Sequence, residues 1–321
     1  MLLEGFGSEN ISTMAFFGCI AVFALTFIVL HYFRNKLPRD GGREFAHQGE
    51  LSLGKPRGAG IVFVLAFAVV ALLRVGKSIE MLIYSVLTAA AMRTGYLDDC
   101  AEIPWDEYKK GGLDLIIAII ATVTYIRCNG TTIMVELLNW EWTVPPILFG
   151  LAAVILIWVS INVTNCTDGV DGLLGTLSLV TLGTIYLIGK EVGMANDFSL
   201  LILLLVSGIV AYLWFNCTPS ILMMGDAGSR AIGFFIALAT LMTGRPFLYL
   251  LTALVLICDG GAGLAKIALK RIFKISILKN IRTPIHDHVR KNKDWSNTHT
   301  VYRFVIVQAL LCAIAYWLVI A

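Results

Sequence analysis

Apolar residues run along this chain in blocks of roughly 17–22, separated by short stretches where glycine, amide and carboxylate side chains crowd together. Blocks of that length predict membrane-spanning helices, at about 12–33, 58–75, 79–96, 113–128, 145–162, 173–189, 198–215, 229–243, 246–270 and 300–320. Between the fourth and fifth blocks, CNGTTIMVELLNWEWTVPP alternates Val, Leu and Trp with polar residues. That alternation predicts a small interfacial hairpin, with Trp140 and Trp142 in an aromatic belt. The ninth block holds Asp259, followed by Gly260, Gly261 and Gly263, and so predicts a bent or broken helix. No internal repeat or soluble segment interrupts the pattern. The expectation is a single all-α polytopic membrane domain over residues 1–321, with ten transmembrane helices.

Composition agrees: 58% of the 321 residues are hydrophobic and 15% are charged, where a soluble domain carries roughly 25%. The net charge of +3 matters less than its distribution. The loops 34–57, 93–112, 163–172, 216–230 and 266–303 hold six, three, no, one and ten Lys and Arg. The opposite side holds only Arg74, Lys77, Arg127, Lys190 and Arg245. By the positive-inside rule the first set is cytoplasmic and both termini lie outside. The first block follows an acidic leader with Glu4 and Glu9; without a basic n-region or clear cleavage site it reads as a retained span. Seven scattered cysteines with no CxxC spacing form neither a disulfide framework nor a metal site.

The polar motifs crowd the predicted cytoplasmic face. Asp98 and Asp99 end the third block; adjacent carboxylates there read as a cation site or general base, or as a solvated pair. In NVTNCTDGVDGLLG, Asp168 and Asp171 share a face if the segment is helical, and Asp171 could instead cap the helix that follows. MGDAGS at 224–229 reads as a helix start whose N–H groups could face an anion while Asp226 holds a hard cation. Acidic residues on separate loops beside a basic loop suit Mg²⁺ with a pyrophosphate better than a calcium cage. His286 and His288 read as donors to phosphate or sugar oxygens rather than a zinc pair, since no third ligand lies nearby in sequence.

Together, YLDD, NVTNCTDGVDGLLG, FNCTP with MGDAGS, and PIHDH resemble the polyprenyl-phosphate N-acetylhexosamine-1-phosphate transferases, in order and loop spacing, over nearly the whole chain. The ending, KRIFK, PIHDH and DWSNTHTVYRF running into the last block, is similar to the branch that uses muramoyl-pentapeptide donors. The resemblance implies a multi-pass enzyme of the bacterial cell membrane with a cytoplasmic active-site cleft. It would transfer phospho-N-acetylmuramoyl-pentapeptide from its UDP carrier to undecaprenyl phosphate, giving lipid I and UMP, the first membrane step of peptidoglycan synthesis. It also implies Mg²⁺, a homodimer among membrane lipid, and no nucleic-acid partner. Carried over by motif, Asp98, Asp99 and Asp226 are catalytic and Asp226 binds the metal. Asn165, Asp168 and Asp171 form the nucleotide-side loop, with Asn216 and Gly225 lining the same cleft. His286 and His288 are the outer members of a histidine triplet whose middle position is Asp287 here. Met223 stands where the family often has Phe, and Lys55 and Arg57 sit in a first loop that departs from the branch's pattern. Two alternatives stay open: UDP-N-acetylglucosamine as donor, and an ion-coupled transporter. The latter is opposed by carboxylates that sit at loop mouths rather than mid-span, Asp259 excepted. Direct attack with Asp98 or Asp99 as base, and a covalent aspartyl intermediate, are both compatible with these residues.

Overall fold

A computed structural model describes residues 10–42, 49–74, 78–103 and 105–321. The leader with Glu4 and Glu9, the His47–Gln48 part of the first polar loop, and Lys77 lie outside them. The chain is helical almost throughout: α1 (Asn10–Phe33), α2 (Gly60–Arg74), α3 (Ile79–Asp99), α4 (Glu107–Asn129), α5 (Pro146–Thr167), α6 (Leu173–Glu191), α7 (Asn196–Asn216) and α8 (Gly225–Met242). A broken rod follows, made of α9 (Tyr249–Thr252), α10 (Leu254–Leu256), a π-turn at Ile257–Gly261, and α11 (Ala262–Ile272). Then come α12 (Ile285–Asn292) and α13 (Asn297–Ile320). Among the described residues, six helical stretches are long and apolar enough to cross a membrane: Ala15–Lys36, α4, α5, α6, α7 and α13. The broken rod makes a seventh if counted as one span. The chain is therefore a polytopic membrane protein of all-helical architecture. Helix α2 is apolar but shorter. Helices α3 and α8 carry charged residues at the ends where the polar motifs lie.

The expected hairpin is present. Strands β1 (Thr132–Val135) and β2 (Trp140–Thr143) pair antiparallel, and the Trp140 and Trp142 rings stack with centroids 5.7 Å apart.

Helix α8 is the axis of the molecule. Every residue from Gly225 to Leu241 is buried, and α2, α3, α5 and α6 pack around it. Contact is so close that a Cβ on Gly60 would collide with the backbone of Gly228, and one on Gly95 with the backbone of Asp226. Small residues do this work in membranes because they let backbones approach where no water drives helices together. Hydroxyls tie the same contacts: Ser160 donates to the Gly233 carbonyl at 2.7 Å, and Thr164 to the Ser229 carbonyl at 3.0 Å. The outer helices differ. Helix α13 buries only Thr300, Gln308, Cys312 and Ala315 and turns the rest of its apolar surface outward, as a lipid-facing helix should.

The expected break in the ninth block is real, but its position is corrected. The rod bends by 68° at Ala253, upstream of the glycines. The cause is Gln308 of α13. Its side chain accepts from the Val255 N–H at 3.0 Å and donates to the Thr252 carbonyl at 2.6 Å. A side chain entering the i→i−4 ladder supplies partners for the freed backbone groups and lets the helix turn. The glycine segment forms the π-turn instead, pressed so tightly on α5 that a Cβ on Gly260 would meet the Val163 carbonyl.

Candidate active site

The N-terminus of α8 gathers the acidic motifs. Asp99, the last residue of α3, accepts from the Asp226 and Ala227 N–H groups at 3.1 Å each. It thereby serves as the cap that α8 lacks from its own sequence, and a carboxylate there is favoured by the helix dipole. Gly225 makes room for it: its φ is +72°, and a Cβ would strike the Asp99 carboxylate. Two cations then lace the cluster. Arg57 places Nε 2.8 Å from Asp99 Oδ1 and a terminal nitrogen 3.2 Å from Asp226 Oδ1, with Asp40 at 3.6 Å. Lys110 pairs with Asp98 and lies 3.3 Å from Asp226 Oδ2. Asp98 also accepts from the Trp105 N–H at 2.7 Å.

These environments drive the carboxyls apart. Burial pushes Asp99 up to about 7, with Arg57 opposing and Asp226 adding to the shift. Burial also pushes Asp226 upward, but Lys110 and Arg57 outweigh it and hold that carboxyl below its usual range. Two nearby carboxyls with opposite tendencies can divide proton-taking from charge-holding.

The 168–172 loop approaches from α5. Asn165 donates to Ser229 Oγ at 3.0 Å and also interacts with Asp226, while the charge of Asp168 acts on Arg57. Asp98, Asp168 and Asp226 therefore converge on one end of the bundle. Two sequence expectations for this loop need correction. Helix α5 ends at Thr167 and α6 starts at Leu173, so Asp168 and Asp171 lie in a turn and share no helical face. Nor does Asp171 cap α6: that position is Gly172, in the left-handed region. Asp171 instead accepts from the Ser220 N–H at 3.2 Å, near Lys55 at 3.8 Å. Asn216 is used by the backbone, accepting from Gly172 N–H at 2.8 Å and donating to the Leu222 carbonyl at 2.9 Å. It fixes two loops to each other rather than presenting its amide to the cleft.

His286 and His288 do not point together, because alternate residues on α12 face different ways. His286 is buried against Asp259, whereas His288 Nδ1 accepts from the Arg282 N–H at 3.3 Å. Asp287 lies 3.5 Å from Arg290 and 3.8 Å from Arg282. Among the described residues, no group of three or more His, Cys, Asp or Glu side chains is gathered as a metal cage.

Sequence reasoning did not single out Lys110, nor the pair that sets its place. Arg230 is fully buried, 2.6 Å from Asp114, and donates to the Lys110 carbonyl at 3.2 Å. The signal was faint: KKGGLD places two lysines just before a block that contains a lone aspartate.

The comparisons with known proteins fall on the same region. The model of glycosyl transferase family 4 matches residues 81–244, which include Asp98, Asp99, the 168–172 loop and Asp226. The chain belongs to that family. It is 40% identical to the phospho-N-acetylmuramoyl-pentapeptide-transferase of Treponema pallidum, over 91% of this chain and 85% of the relative. A protein of the same name from Clostridium acetobutylicum is 27% identical, over 82% and 84%. One from Helicobacter pylori is 25% identical, over 79% and 78%.

Proposed function

We propose that this chain transfers phospho-N-acetylmuramoyl-pentapeptide from UDP to undecaprenyl phosphate, releasing UMP and leaving lipid I. The 40% identity to a transferase of that name over most of both chains carries the reading. The acidic and basic groups meeting at the α8 N-terminus supply its chemistry. In this reading all ten apolar blocks span a bacterial cell membrane, the α8 N-terminus opens to the cytoplasm, both termini lie outside, and the protein works as a homodimer.

The acceptor phosphate is tethered to lipid and reaches only the membrane surface, so the site must lie at a helix end, and the charged cluster at the α8 N-terminus supports that reading. Arg57, Lys55 and Lys110 offset the charge of two anions brought together; phosphoryl transfer asks mainly for position and charge compensation. Asp98, held by Lys110 and the Trp105 N–H, and Asp99, held at the α8 N-terminus with a carboxyl pushed up to about 7, are the two groups assigned to take a residual proton from the lipid phosphate. Asp226, with Asn165 beside it, fits Mg²⁺, which binds few protein carboxylates and leaves its other positions to phosphate and water. When bound there, Mg²⁺ supplies charge neutralisation at the pyrophosphate.

The test offers purified protein, undecaprenyl phosphate and Mg²⁺ either UDP-N-acetylmuramoyl-pentapeptide or UDP-N-acetylglucosamine, and measures UMP. Release with the first donor alone is expected. Release with the second alone would move the protein to the other branch, and release with neither would end the transferase reading.

A further inference from the structure

Asp259 belongs to no motif of the cluster at α8, yet it makes two short contacts with one residue of the basic loop. The π-turn Ile257–Gly261 places it there. Such turns widen a helix by one residue and re-aim the side chains they carry. This one presses on α5 through Gly260, beside Val163 and Thr167, and holds the Asp259 side chain out of solvent. Asp259 Oδ1 accepts from the backbone N–H of His286 at 2.7 Å. Its other oxygen, Oδ2, lies 2.8 Å from His286 Nδ1. One carboxylate therefore holds both the start of α12 and the ring of its second residue.

The opposite ring nitrogen faces the nucleotide-side loop. A Cβ on Gly169 would collide with His286 Nε2, so this nitrogen abuts the residue next to Asp168. Asp287 lies 3.9 Å from it, and that group also faces Arg282 and Arg290. We propose that Asp259 is a positioning residue that fixes the ring orientation and tautomer of His286, so that Nδ1 carries the proton and Nε2 alone is presented to the 168–172 loop. A carboxylate oxygen can only accept, so a 2.8 Å contact with it requires the proton on Nδ1. The arrangement is that of an imidazole oriented by an outer carboxylate. Its bearing on turnover rests on the transferase reading above; its geometry does not.

The test separates the two. Histidine-selective ¹⁵N labelling of the full chain in lipid nanodiscs reports which ring nitrogen is protonated, and the His286 signals are assigned by their loss in His286→Gln. Wild type should show Nδ1 protonated and Nε2 bare. An Nε2-protonated ring would overturn the proposal without any variant being needed. Asp259→Asn keeps an oxygen for the His286 N–H but offers an amide N–H to Nδ1, so the ring should switch to protonation on Nε2. A ring that keeps the wild-type pattern would overturn the proposal. In the UMP assay Asp259→Asn should lower kcat on the order of tenfold or more at a melting temperature within a few degrees of wild type. A switched ring with unchanged kcat would sink the catalytic part of the claim. Wild-type protein that fails to release UMP would instead remove the proposed function and leave the tautomer measurement standing.

Discussion

The two ends of α8 are built from the same kinds of contact and do opposite things. At its N-terminus, Asp98, Asp99, Asp226, Arg57 and Lys110 form one connected charged network drawn from three separate polar segments. At its C-terminus, polar bonding is sparse and pairwise. The Tyr125 hydroxyl donates to the Leu241 carbonyl at 2.9 Å, and Arg245 meets Glu136 at 2.7 Å. Beside that end, beneath the hairpin, lies an apolar cavity of about 420 Å³ lined by residues that include Ile133, Trp142, Phe149 and Phe247. One end concentrates charge that burial makes costly; the other terminates a helix with the fewest groups that satisfy it. Costly charge clustering of that kind marks function more often than stability.

The largest effect is expected from Asp226→Asn, which removes the carboxylate shared by Arg57 and Lys110. UMP release should fall about a thousandfold or more, equivalent to about 4 kcal/mol of barrier. Retention of full Mg²⁺-dependent turnover would show that the metal assignment is wrong. Next, Arg230→Met strands Asp114 in the core. Losing one partner of a buried ion pair costs about 3–5 kcal/mol, so thermal melting followed by intrinsic fluorescence should shift down by several degrees. An unchanged melt would mean that α4 is not held to α8 by this pair.

Lys110→Met is a milder change that leaves Asp98 and Asp226 to repel each other. Turnover should drop roughly ten- to a hundredfold, about 1.4–2.7 kcal/mol of barrier, with near-normal melting. A larger loss of stability than of activity would reassign Lys110 to a structural part. Smallest of all in its effect on turnover, Glu136→Gln at the far end should cost about 1–3 kcal/mol of stability and leave UMP release at the wild-type rate. A strong effect on catalysis there would abolish the distinction between the two ends.

Hydropathy and short motifs determined much of this protein from the chain alone. Each of the ten apolar blocks is helical, and the hairpin forms where Val, Leu and Trp alternate. These features are local: a backbone in an apolar solvent must close its own hydrogen bonds, so a long apolar run becomes a helix whatever surrounds it. Partner choice, by contrast, came from packing. Arg57 and Lys110 joined the cluster, Asp99 was spent on capping a helix far away in sequence, and Asp171 turned to Ser220 instead of its own helix. The bend belongs to Gln308, on a different helix from the glycines that foretold it, and Asp259 found its partner in His286. Those pairings depend on the register and rotation of packed helices, which arise from shape and close approach at residues such as Gly60 and Gly95, and no local window of sequence contains them.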